Sequence, residues 1–120
     1  MNRQPDLPVN LERLNQISEG DVEFELEILQ AYIEDFAQRI ERIRDAIAIN
    51  DWSQIMGQAH HLRGSSGNVG ASQIHMLAIQ LEELNSSHDS GKALDIIGSM
   101  SASIRAIELF IAEKSASLPT

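Results

Sequence analysis

The chain contains no cysteine, which excludes disulfides and thiolate metal sites at once. Aromatic residues make up 4% of its 120 positions, too few for a platform on which nucleic-acid bases stack. Proline occurs only three times, as Pro5, Pro8 and Pro119, outside every candidate helix interior. Positive charge is scarce. Nine Lys and Arg face 18 Asp and Glu, for a net charge of −9, a balance that repels phosphate backbones and anionic membranes. No apolar run approaches the roughly 18 residues of a membrane span. The opening MNRQPDLPVN lacks the apolar core of a signal peptide. These absences lead us to expect a soluble cytoplasmic domain with neither nucleic acid nor membrane as partner. The length suits a single domain, and 42% hydrophobic residues suffice for one modest core.

What is present is helical spacing. Val22, Leu26, Leu29, Ile33, Phe36, Ile40, Ile43 and Ile47 step by four and three without a break, which predicts a long bundle helix over residues 21–49 with Asp21 as N-cap. A short helix over 10–18 precedes it. Phe24, Ile28 and Tyr32 form a second stripe on the long helix, on which the short helix packs or a partner binds. NDWSQ opens a third helix, with Asp51 as N-cap and Gln54 three residues on, a capping-box pattern. Its core seam is Ile55, Ala59, Leu62, Ser66 and Val69. After a turn at Asn68 to Gly70 comes a fourth helix over 71–86, using Ile74, Leu77, Leu81 and Leu84. A fifth, over 90–114, uses Ala93, Ile97, Met100, Ile104, Ile107 and Ile111. Residues 1–9 and 115–120 read as flexible tails around a domain spanning 10–114. The expected fold is all-α: an up-down-up-down antiparallel four-helix bundle with a short additional N-terminal helix.

One stretch sits oddly in this pattern. AHHLRGSSGNVG, residues 59–70, places a histidine pair among poor helix formers. With Leu62 at the core centre, about 100° per residue puts His60 and Gly64 each about 160° away, on the outer side. Gly57 and Gly67 share that outer half. His61 and Arg63 flank the seam on opposite sides. Each interior glycine costs roughly 0.5–1 kcal/mol relative to alanine. On an outward face, clearance accounts for them better than close helix packing: they leave the His60 imidazole in open space that another protein's site can enclose. As metal ligands His60 and His61 diverge by about 100°, and His75 and His88 have no ligand spacing to them. No nucleophile elbow and no phosphate loop following a strand is present. Toward phosphorus, however, a neutral imidazole is a good nucleophile near neutral pH, and Arg63, at i+3, could meet phosphoryl oxygens.

His60, Leu62, Arg63, Gly64, Ser65, Ser66, Gly70 and Ala71 together resemble the signature of histidine-containing phosphotransfer (HPt) domains. That signature is a histidine, any residue, an aliphatic residue, a lysine or arginine, then Gly-Ser-Ser and a later Gly-Ala. The order and length of the helices extend the resemblance over residues 10–114. It implies a helical bundle relaying phosphate between receiver-domain aspartates in a multistep two-component phosphorelay, with His60, not His61, as phospho-acceptor. Arg63 would stabilise phosphate charge where lysine is common, and Gly64 would give steric access. Glu82 stands where several family members place a glutamine near the acceptor ring. His60 lies about 9 residues before the turn and Glu82 about 11 after it, within roughly 3 Å of one level at 1.5 Å per residue. Glu82 could therefore orient the ring, or be one more solvated acid.

The resemblance further implies a phosphocarrier rather than an enzyme, with no kinase site and no cofactor of its own. A divalent metal would belong to the partner receiver. The partners would be receiver domains of hybrid sensor histidine kinases and of response regulators, met by a monomer through apolar surface around His60 such as Met56. The alternative is an HPt-like binding module that docks receiver or kinase domains without transferring phosphate.

Overall fold

A computed structural model of the chain describes residues 8–118. Five α-helices follow in order: α1 (Leu11–Ser18), α2 (Val22–Ala48), α3 (Trp52–Val69), α4 (Ser72–Glu82) and α5 (Ser90–Ala116), with a 3₁₀ turn at Glu83–Asn85 between the last two. Each of α2 to α5 packs on its chain neighbour, and α5 closes back onto α2. This is the expected up-down-up-down bundle. The short α1 lies across α2 and α3.

The helix starts follow from local chemistry. Asn10, Asp21, Asp51 and Asp89 each accept a hydrogen bond from the backbone N–H three residues on, at 3.0–3.1 Å, which satisfies donors that a helix N-terminus leaves free. The box expected at Asp51 forms by half: its own N–H donates to the Ala46 carbonyl at 2.8 Å rather than to Gln54. The fourth helix is shorter than 71–86. Ala71 offers it no side-chain cap, and the chain tightens to 3₁₀ after Glu82.

The third-helix seam is buried as expected, with Ile55, Ala59, Leu62 and Ser66 fully enclosed. Two expectations need correction. Of the long-helix seam, Leu29, Phe36, Ile40, Ile43 and Ile47 are core, whereas Val22, Leu26 and Ile33 are only partly buried. The second stripe is not one surface either: Tyr32 is core at 5% exposure, while Phe24 stays 45% exposed. The inner ends of the tails expected at 1–9 and 115–120 are structured. Val9 is 1% exposed, the Asn10 N–H donates to the Gly70 carbonyl at 2.7 Å, and α5 runs on to Ala116. Residues 1–7 and 119–120 lie outside the described residues.

Gly70 ends α3 in the left-handed region at φ +80°, a conformation that favours glycine. A Cβ there would also meet Asn10 and Arg13 at 3.1–3.2 Å. Arg13 completes this corner: its Nε donates to the Asn68 carbonyl and its Nη2 to Asn68 Oδ1, both at 2.9 Å. At the other end of α3, the His88 ring stacks on Trp52 with centroids 4.7 Å apart.

One polar pair crosses the core. The Tyr32 hydroxyl of α2 lies 2.6 Å from Ser66 Oγ of α3. Burial pushes the Tyr32 hydroxyl well above the ordinary tyrosine range, against the pull of the Ser66 hydrogen bond and with a smaller upward push from Asp35. A raised folded-state value favours the protonated form. The stabilisation is therefore whole below the unfolded tyrosine value of about 10 and is lost as the pH rises beyond it. Two outcomes follow. Tyr32→Phe, which leaves Ser66 unpaired, should cost about 1–3 kcal/mol in denaturant titrations at neutral pH. The absorbance of this single tyrosine should report ionisation only together with alkaline unfolding; ionisation in the folded protein near pH 10 would contradict the burial argument.

Candidate functional site

Helix α3 carries its core seam on one side and His60 on the other. The His60 side chain is 68% exposed, the outward placement expected from the helical period. Gly57 and Gly64 flank it, and a Cβ at either would meet nothing within 4 Å. The space around the ring is open on both sides along the helix.

Three of the residues singled out from the sequence converge there. Glu82, from the end of α4, places Oε2 3.4 Å from His60 Nδ1. Arg63 places Nη2 3.3 Å from the same Nδ1 and Nε 3.3 Å from Glu82 Oε1. The arithmetic of the α3–α4 hairpin thus brings the carboxylate level with the ring. The Glu82 side chain is 24% exposed, and its Oε1 is buried without a hydrogen bond; the Arg63 Nε approach is an ion pair without hydrogen-bond alignment. A desolvated carboxylate oxygen left in this state is costly, and the contact with His60 Nδ1 is made by the other oxygen, Oε2.

The arrangement directs Nε2 away from the pair. Nδ1 is the nitrogen held by neighbours, which leaves Nε2 for chemistry. In a neutral imidazole only one nitrogen carries hydrogen. A proton on Nδ1, donated to Glu82, leaves the Nε2 lone pair outward and nucleophilic.

His61 is held differently. Its Nε2 lies 3.4 Å from Asp35 Oδ2. Asp35 also accepts from Arg39 Nε at 3.0 Å, and Arg39 Nη1 donates to Gln58 Oε1 at 2.9 Å. The ring is tied into an α2–α3 polar network through the very nitrogen that His60 keeps free. Sequence reasoning did not single out Asp35 or Arg39; both lie on α2, and only the register between the two helices brings them to His61.

Gly67 corrects the clearance argument. A Cβ there would lie 3.1 Å from His75 Nδ1. The His75 ring of α4 crosses this glycine, and Nδ1–H donates to the Arg63 carbonyl at 2.8 Å. Gly67 therefore serves close helix packing, because α4 folds back over this part of α3 directly after Gly70. His75 was set aside in the sequence for lacking ligand spacing. It fixes the backbone of Arg63 while the Arg63 side chain reaches His60 and Glu82. The pair Gly67–His75 across the Gly70 turn was the available signal.

Comparison with known proteins gives three findings. The Hpt domain family model matches residues 27–113. Histidine-containing phosphotransfer protein 2 of Arabidopsis thaliana is 32% identical over 68 residues, a match covering 54% of this chain and 44% of that protein; the chain thus spans less than half the length of this relative. Two solved structures share the fold. Histidine-containing phosphotransfer protein B of Pseudomonas aeruginosa superposes with a TM-score of 0.82 at 18% identity, covering 93% of this chain and 97% of that one. The HPT domain of a sensor hybrid histidine kinase from Shewanella superposes with a TM-score of 0.71 at 16% identity, covering 88% and 95%.

The two kinds of glycine separate under one substitution. Gly64→Ala fills open space and should stabilise the protein by up to about 1 kcal/mol through helix propensity. Gly67→Ala should lose that gain or reverse it, because the His75 ring must move. Urea denaturation of both variants checks this; equal stabilisation would remove the packing role assigned to Gly67.

Proposed function

The chain belongs to the Hpt domain family, and from that premise we propose that it relays a phosphoryl group between receiver-domain aspartates, with His60 as the carrier. The observation that carries this reading is the His60 ring itself: exposed, flanked by open space at Gly57 and Gly64, and held through Nδ1 so that Nε2 faces outward.

The chemistry follows from the site. A receiver bearing an aspartyl phosphate closes over His60. Nε2 attacks phosphorus in line, and the aspartate oxygen departs. The same geometry run backward delivers the group to a second receiver. Arg63 meets the phosphoryl oxygens with a guanidinium, and Gly64 leaves room for the receiver's loops. The divalent ion that phosphoryl transfer uses belongs, in this reading, to the receiver. In this reading the protein is a cytoplasmic phosphocarrier, acting as a monomer and without a kinase site of its own. This reading takes hybrid sensor histidine kinases and response regulators as the source of those receivers. Met56, partly buried against the core beside Gly57, belongs to the docking surface. No helix among the described residues is long and apolar enough to cross a membrane.

Two experiments test the reading. His60→Gln, at an exposed position, should keep its stability within about 0.5 kcal/mol and accept no phosphate from a phosphorylated receiver. His61→Gln should retain most transfer, and the wild-type product should be acid-labile and base-stable, as a phosphoramidate is. Equal labelling of the His60→Gln protein would remove His60 from the role. Gly64→Leu should gain up to about 1 kcal/mol in stability yet slow transfer by roughly tenfold or more, about 1.4 kcal/mol in the barrier. Stability and rate moving together would show that the glycine does not serve access.

A further inference from the structure

The surface around His60 is cleared on one flank and filled on the other. With Leu62 at the core centre, about 100° per residue puts His60 at about 160° around α3. Arg63 and Met56 fall at about 100° and 120°, on the flank where Glu82 of α4 meets the ring. Gly64 and Gly57 fall at about 200° and 220° on the other flank, and a Cβ at either would meet nothing within 4 Å. Beyond these glycines come His61 and Gln54, at about 260° and 280°, against α2. A body the size of a protein domain therefore reaches the ring across the glycines, with α2 beneath it.

The α2 side chains on that path are charged. Asp35 and Arg39 pair with each other at 3.0 Å and are tied to α3 through His61 and Gln58. Arg42, three residues on, shares a surface hollow with Gln54 of α3. Gln54 lies six residues before His60, about 9 Å along the axis. An interface of ordinary size covers roughly 800 Å² on each partner, a disc of about 16 Å radius, so a partner centred on His60 covers Arg42 as well. The other guanidiniums of α2 and α3 are engaged: Arg39 by Asp35, Arg44 by Glu41 and Arg63 by Glu82. Arg42 is exposed and forms no ion pair among the described residues, although Asp45 and Asp51 line the same hollow. In a chain of net charge −9, whose field repels acids, a free cation at this place is the exception.

Resting on the reading of His60 as the carrier, we propose that receivers reach His60 across the α2 flank and that Arg42 determines which of them do so, by pairing with an acidic side chain on the receiver's rim. A receiver with an acid at that place is drawn in. One with a lysine or arginine there meets an unpaired like charge and is turned away. The selection acts on association. Arg42 stands well over a helical turn below the ring and, unlike Arg63, does not border it, so transfer within the complex is left to His60 and Arg63.

The test uses the full chain and a panel of receiver domains from the hybrid kinases and response regulators of the same organism, each loaded from acetyl phosphate. Transfer to wild type, Arg42→Gln and Arg42→Glu is followed by rapid quench at increasing carrier concentration. For the receivers that wild type discharges fastest, Arg42→Glu should lower kcat/KM about tenfold through KM, with kcat kept within about twofold, and Arg42→Gln should lower it less. The rank order of the receivers should change with the charge. The salt dependence of the wild-type rate should flatten in Arg42→Gln, because the attraction that salt screens is gone. Arg105→Glu makes the same charge change on α5, which packs on α2 and α4, and should leave rates and order intact. An equal loss in Arg105→Glu, or unaltered KM and salt dependence at Arg42, would overturn the proposal while leaving His60 as the carrier. A fall in kcat alone would overturn it too, since Arg42 would then act on transfer rather than on recognition. Failure of the wild type to take phosphate from any receiver would overturn the carrier reading and this inference with it.

Discussion

Gly70 places two helices at once. Its left-handed backbone ends α3 and turns the chain directly into α4, so that the two helices run back along each other from a shared origin. Everything near His60 inherits its position from that origin. His75, five residues past the turn, lands over Gly67, three residues before it. Glu82, twelve past, lands beside His60, ten before. A one-residue change in the turn would rotate α4 by about 100° and take the carboxylate off the ring. Asn10 and Arg13 close over the same corner from α1, which accounts for an extra helix where four would already make a bundle.

The site is electrostatically frugal. The chain carries nine more negative than positive charges, yet a cation and an anion from different helices meet at one nitrogen of one ring. Neither pair is strong by itself, since partly exposed ion pairs contribute little to stability. Their value lies in opposition. Arg63 and Glu82 favour different tautomers of His60 through the same Nδ1. The neighbouring His61 is less exposed and binds an acid, Asp35, through Nε2; Arg39, itself held by Gln58, locks that acid in place. Two adjacent imidazoles thus acquire opposite chemistry from which nitrogen the surroundings occupy.

Much of this was legible in the sequence, and the losses have a common cause. Helical period alone located the α3 seam and the outward face of His60, because both concern one helix. The level of Glu82 was also legible, because a tight hairpin converts residue counts into height. What failed was anything set by a second helix crossing the first. The wheel of α3 cannot see the His75 ring lying across Gly67, so a packing glycine read as clearance. The apolar period of α2 includes Val22, Leu26 and Ile33, which the bundle only partly covers. Ser66 was visible as a seam residue, but its partner Tyr32 was assigned to a different stripe, since their hydrogen bond depends on the register between α2 and α3.

The stack of His88 on Trp52 has a practical consequence. Trp52 is the single tryptophan, nearly buried at 6% exposure and eight residues before His60 on the same helix, about 12 Å along its axis. The chain therefore carries one indole, fixed at the loop end of the bundle two helical turns from His60. The His88 ring stacked on it joins the two loops at that end of the bundle. A folding equilibrium can consequently be followed optically while the imidazole face is occupied, with the two events separated in space by the length of two helical turns.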